Sequence, residues 1–152
     1  MTNYIAVGTR QTTQINGEYK ATMQKVSEMP SFDFLMQYKP DFIEIDDSLT
    51  KEQAQELKRT QAKYYIGGKL TEINETTALR NNDSVINRDI LILDYDFAEG
   101  EMDHEQFKNI IETTLAKVNY LAYPTFNADE NNVRYRVAIE LNRAANKQEY
   151  EK

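Results

Sequence analysis

Cysteine is absent from this chain and histidine occurs once. Disulfides, thiolate zinc sites and cysteine nucleophiles are therefore excluded, and a single histidine also removes His-rich zinc sites and most catalytic triads. Tryptophan is missing, and no apolar run is long enough to span a bilayer. The first residues lack the basic-then-apolar pattern of a secretory signal, and there is no internal repeat or low-complexity tract. A soluble cytoplasmic protein is the resulting expectation. Basic residues are also outnumbered, with 18 Lys and Arg against 25 Asp and Glu, a net charge of −7 and a pI near 4.8. Neutralising phosphates takes clustered Lys and Arg, so strong indiscriminate DNA binding is disfavoured and any nucleic-acid contact must rely on local patches.

What the chain does have is enough length for one compact domain, 152 residues, and ten tyrosines suited to core and interface positions. Asn16-Gly17 is a tight-turn dipeptide beside a short β element, and the composition from Tyr19 to Met29 predicts a helix ending before Pro30. A further short helix is expected over Ser31 to Tyr38, and the alternation of Asp41 to Asp46 predicts a half-buried strand. Thr50 and Gln53 form a capping box before a helix running from Lys51 to Lys63. Tyr64 to Ile66 reads as a strand closed by Gly67-Gly68, with Leu70 to Ile73 returning beside it. Asp103 and Gln106 cap an amphipathic helix whose apolar face is Phe107, Ile110, Ile111, Thr114, Leu115 and Val118. Strands follow at Tyr120 to Thr125 and Val133 to Leu141, then a loop from Asn142 and a helix starting near Asn146.

The most informative segment is Asp94-Tyr95-Asp96, at the end of the apolar run Ile90-Leu91-Ile92-Leu93. Side chains alternate along a strand, so the two aspartates share one face and Tyr95 takes the other. Two neighbouring carboxylates repel, and a divalent cation relieves that repulsion while gripping the phosphates of a nucleotide. The competing reading is a turn cap, or a pair neutralised by arginines. Arg134 and Arg136 are the candidates for that, because they alternate onto the polar face of their strand while Tyr135, Val137, Ile139 and Leu141 take the other. Their guanidinium forks also suit phosphate or a template backbone. Gly67-Gly68 beside Lys69 lacks the P-loop pattern and reads as a plain turn, and His104 falls in an exposed first helical turn.

Taken together, Arg80-Asn81-Asn82-Asp83-Ser84-Val85, Arg88 to Asp96, Tyr120 to Thr125, Arg134 to Leu141 and Glu149-Tyr150 occur in an order that resembles the catalytic domain of the archaeo-eukaryotic primase superfamily. Within it, the similarity is to primase-polymerase proteins of phages and mobile elements in Gram-positive bacteria, over about residues 64 to 152. The resemblance implies that Asp94 and Asp96 bind Mg2+ or Mn2+. It also implies that Arg80, Arg134 and Arg136 lie near a nucleoside triphosphate or a nucleic-acid template. The family's second motif offers a histidine after the Tyr-x-Thr strand, whereas this chain has Pro124-Thr125-Phe126-Asn127-Ala128. A third motif carries another metal-binding aspartate, which the resemblance places beyond Lys152; Asp129 and Glu130 are the nearest acidic substitutes.

The expected fold is α/β, an RNA-recognition-like or ferredoxin-like sheet over 64–152, incomplete at its C-terminus, with an N-terminal α/β extension over 1–63. The expected function is metal-dependent nucleotidyl transfer in the DNA replication of a phage or mobile element, weak in this chain alone. The alternative is a catalytically degenerate relative that binds and regulates a replication or defence protein, or self-associates, through an exposed sheet edge.

Overall fold

In a computed structural model, the described residues are 4–9, 12–39, 43–44, 46 and 48–150. The described residues form a mixed α/β fold with eight strands, and every strand pairing whose register is described is antiparallel. It divides into a first unit, residues 1–89 with 143–152, and a second unit, residues 90–142. No helix among the described residues is long and apolar enough to cross a membrane.

The first unit is built on a hairpin. Strands β1 (Tyr4–Gly8), β2 (Thr12–Ile15) and β3 (Glu18–Ser27) are arranged with β3 between β2 and β1. Asn16 and Gly17 join β2 to β3 with φ of 51° and 82°, left-handed at both positions as a type I′ turn requires. The predicted helix over Tyr19 to Met29 is therefore a strand. Its Ala, Met, Gln and Lys residues favour helix on their own, but the hairpin register Ile15↔Glu18 extends them, and β3 hydrogen-bonds to β2, β1 and β5 (Thr77–Leu79). Helix α1 (Ser31–Gln37) follows as expected. Its N-cap is Pro30, which offers no side-chain acceptor, and the Ser31 N–H donates instead to Asp89 Oδ2 at 3.1 Å. The strand expected over Asp41 to Asp46 lies largely outside the described residues. Helix α2 (Lys51–Thr60) carries the predicted Thr50/Gln53 capping box.

Strand β4 (Tyr64–Leu70) corrects a second expectation, because Gly67 and Gly68 lie inside it, paired with Ile5 and Tyr4 of β1. They do not close the strand; they let another backbone approach it. Gly68 has φ of +108°, and a Cβ there would overlap the carbonyl oxygen of Asn87 and sit 2.7 Å from Arg88 Cα. The crossing backbone belongs to β6 (Val85–Asp96), which pairs with β4 through Lys69↔Asn87 and Leu70↔Val85. Ala6, Met23, Leu70 and Ala78 form the buried core of this unit, with Tyr64, Ile66 and Val85 packed against it.

The second unit is the β-α-β-β succession the sequence predicts: the end of β6, α3 (His104–Thr114), β7 (Tyr120–Pro124) and the start of β8 (Arg134–Asn146), with β8 between β6 and β7. The Asp103/Gln106 capping box sets the start of α3. Phe107 and Ile111 are buried against Val133 and Val137, while Ile110 and Val118, expected on the same face, are about half exposed. Tyr95 and Tyr135 pack on Phe107 at ring-centroid distances of 5.2 and 4.6 Å. Strand β8 also runs past the expected loop at Asn142, reaching Asn146 before the single-turn α4 (Lys147–Tyr150).

The two left-handed glycines separate steric overlap from dihedral strain. Gly17 has φ of +82° with nothing within 4 Å of a built Cβ. Gly17→Ala is expected to cost about 1 kcal/mol, and Gly68→Ala about 3 kcal/mol or more. Urea denaturation measures both, and equal losses would remove the close crossing of β4 and β6 as the reason for Gly68.

Candidate functional site

The pleat of β6 and β8 sorts the chemistry of the second unit. Leu93, Tyr95 and Phe97 of the β6 segment, with Tyr135, Val137 and Ile139 of β8, pack with Phe107 and Ile111 of α3. Alternation sends Asp94, Asp96, Arg134 and Arg136 to the opposite face. There they meet across strands. Arg136 grips Asp94 with both arms of its fork, Nε donating to Oδ1 at 2.6 Å and Nη2 to Oδ2 at 3.2 Å. Arg134 Nε lies 3.0 Å from Asp96 Oδ1, an ion pair without hydrogen-bond alignment, so this buried N–H has no hydrogen-bond acceptor.

The pairs are lopsided in exposure. The Asp94 and Asp96 side chains are 63% and 61% exposed, against 32% for Arg136 and 34% for Arg134, so the carboxylates face solvent and the guanidiniums sit lower. The hydrogen bond to Asp94 raises the Arg136 pKa above its ordinary value, against the opposing effect of burial, with Tyr123 adding to the rise. Arg136 is a fixed cation at any working pH. Tyr123 stands opposite it in the β7–β8 register. Sequence reasoning missed this tyrosine; the signal was the pairing of Tyr120 to Pro124 with Tyr135 to Ile139, which needs the register to be known.

Two solvent-facing, acceptor-only carboxylates on one face are a donor set that fits a hard divalent cation. As arranged, however, both Asp94 oxygens already accept from Arg136, so a cation binding there competes with the guanidinium. Among the described residues no group of three or more His, Asp or Glu is placed to hold a metal.

The remaining candidates are placed differently. Arg80 belongs to the first unit, where its guanidinium lies 4.8 Å from the Tyr64 ring centroid and its buried Nε has no hydrogen-bond partner. His104 is not free in solvent but half-buried, with Nε2 2.9 Å from the Asp129 carbonyl and Nδ1 3.1 Å from the Tyr135 hydroxyl. A carbonyl only accepts, so Nε2 carries a proton and the histidine pins the 127–132 loop to α3. Asp129 is occupied by that loop, its carboxylate accepting from the N–H groups of Asn131 and Asn132 at 2.8 and 2.9 Å and from Asn132 Nδ2 at 2.7 Å. Lending it to a metal would undo the turn. A groove of about 410 Å³ in the first unit, lined by Thr9, Thr22, Met23, Phe34, Tyr38 and Lys63 among others, contains none of the predicted site residues.

With this geometry in hand, comparison with known families is decisive: the model of the VapE N-terminal domain matches residues 39–152. The chain belongs to the VapE N-terminal domain family. Membership fits a protein of a phage or mobile element. The span matched to the VapE N-terminal domain covers about three quarters of the chain and contains Arg80, Asp94, Asp96, Arg134 and Arg136. No curated protein and no solved structure matches the chain.

The loop around Asp129 has a defined acid response. The Asn131 N–H, then Asn132, hold the Asp129 pKa below its ordinary value. A depressed carboxylate contributes stability that is complete above its unfolded pKa of about 3.9 and is lost as pH falls through the lower folded value. Amide NMR signals of Asn131 and Asn132 are therefore expected to titrate with a midpoint below about 3.9. A midpoint at or above 3.9 would contradict the turn.

Proposed function

We propose that this chain is a primase-polymerase-type nucleotide-binding domain acting in the cytoplasmic replication of a phage or mobile element. The observation that carries the reading is the convergence of Asp94 and Asp96 with Arg134 and Arg136 on one solvent-facing surface of a VapE N-terminal domain. Asp94 and Asp96 would hold Mg2+ or Mn2+, which when bound offsets the charge of a triphosphate. Arg134 and Arg136 would contact its phosphate oxygens, their half-buried stems keeping the forks near the sheet. Losing one such charge-neutralising contact commonly costs on the order of 10²-fold in rate. With no histidine in 124–128, transfer by this chain alone is expected to be slow.

The charge distribution supports a template position on the first unit. Residues 90–142 contain ten Asp and Glu against four Lys and Arg, a net −6, whereas the first unit has fifteen against fourteen. Template contact would fall to the first unit, with Arg80 among its contributors, because phosphate binding is driven by basic groups.

The same imbalance favours one second reading, a regulator whose acidic 90–142 unit docks on a basic surface of a replication or defence protein. Strand β7 ends the strand order and gives such a partner, or a second copy, an edge to join.

Calorimetric titration of Mn2+ with a nucleoside triphosphate separates the two readings. The wild-type chain is expected to bind in a metal-dependent way, and an Asp94→Asn/Asp96→Asn variant at least tenfold more weakly. Folded wild type that binds nothing, or a variant that binds equally well, would discard the nucleotide site and leave the regulator reading.

A further inference from the structure

We propose that Arg136 and Arg134 are built-in counter-cations that Asp94 and Asp96 exchange for a divalent ion when a triphosphate arrives, so that the site favours metal and nucleotide together over bare metal. This rests on the reading that Asp94 and Asp96 hold the metal.

Two carboxylates projected from the same face of one strand repel, and here each is neutralised by a guanidinium from the neighbouring strand. The neutralisation is strongest at Asp94, where both oxygens accept from the Arg136 fork and a bare cation must share the carboxylate with that fixed positive charge. A bare cation must also approach two fixed positive charges, so it loses the fork–carboxylate bonds and gains repulsion. A metal-bound triphosphate changes the balance, because its oxygens accept from the guanidiniums that the aspartates release. Every donor then keeps an acceptor.

Three features prepare the exchange. The carboxylates are the more exposed members of both pairs, so they can turn toward solvent while the arginines stay anchored. The buried Arg134 Nε has no hydrogen-bond acceptor, and a phosphate oxygen would supply one. Tyr123, opposite Arg136 on β7, supports the guanidinium independently of Asp94.

The exchange predicts opposite signs for one substitution. Relative to wild type, Arg136→Ala is expected to bind bare Mn2+ about tenfold more tightly and Mn2+ with a nucleoside triphosphate about tenfold more weakly. Electron paramagnetic resonance of free Mn2+ reads both arms without activity. Arg136→Gln keeps the side-chain length and replaces the alanine variant if circular dichroism shows that variant unfolded. A merely structural arginine would leave bare-metal affinity unchanged or lower it, and that result overturns the exchange. If wild type still binds metal with nucleotide in an Asp94- and Asp96-dependent way, the nucleotide site survives that result. If wild type shows no such binding, both readings fall.

Discussion

The ring of Phe107 fixes the chemistry of the 90–142 unit. It is 3% exposed and packs against Tyr95 of β6 and Tyr135 of β8. Because strand side chains alternate, seating those two tyrosines on α3 commits the residues on either side of each to the opposite face. Those residues are Asp94, Asp96, Arg134 and Arg136. A one-residue slip of either strand would bury charge against Phe107 and expose the tyrosines. The register of the charged face is therefore held by apolar packing on the other side of the sheet.

The electrostatics follow from that register. Partly exposed ion pairs contribute little to stability, typically below about 1 kcal/mol, so the four charged side chains do not hold the unit together. Their consequence is local: adjacent carboxylates that would repel are kept neutral and oriented. The unit as a whole remains strongly acidic, ten acids to four bases, which makes the two paired arginines unusual within it. A face that carries two acids and two bases in cross-strand pairs presents both signs of charge side by side.

Much of this was legible in the residues. The capping boxes at Thr50/Gln53 and Asp103/Gln106 and the hairpin turn at Asn16-Gly17 are local signals, and each appears where it was expected. The alternation in 94–96 and 134–137 likewise gave the faces correctly. What failed was whatever depended on distant strands. The segment from Tyr19 to Met29 has helical composition but becomes β3 because three strands hydrogen-bond to it. Gly67-Gly68 has the composition of a turn, and only the passage of Asn87 and Arg88 beside Gly68 explains glycine within a strand. At the site, the sequence left metal ligation and arginine pairing as alternatives for Asp94 and Asp96. The 2.6 Å Asp94–Arg136 and 3.0 Å Asp96–Arg134 contacts put the arginines in place, and Tyr123 could be found only from the β7–β8 register.

Asp94 and Arg136 act as one electrostatic unit across β6 and β8. A double-mutant cycle with Asp94→Asn, Arg136→Gln and their combination, read by denaturation at low and high salt, tests it most directly. A coupling of about 0.5–1 kcal/mol that shrinks as salt screens the pair is expected. Additive losses at low salt would show that the two side chains do not sense each other and would rule out a coupled pair.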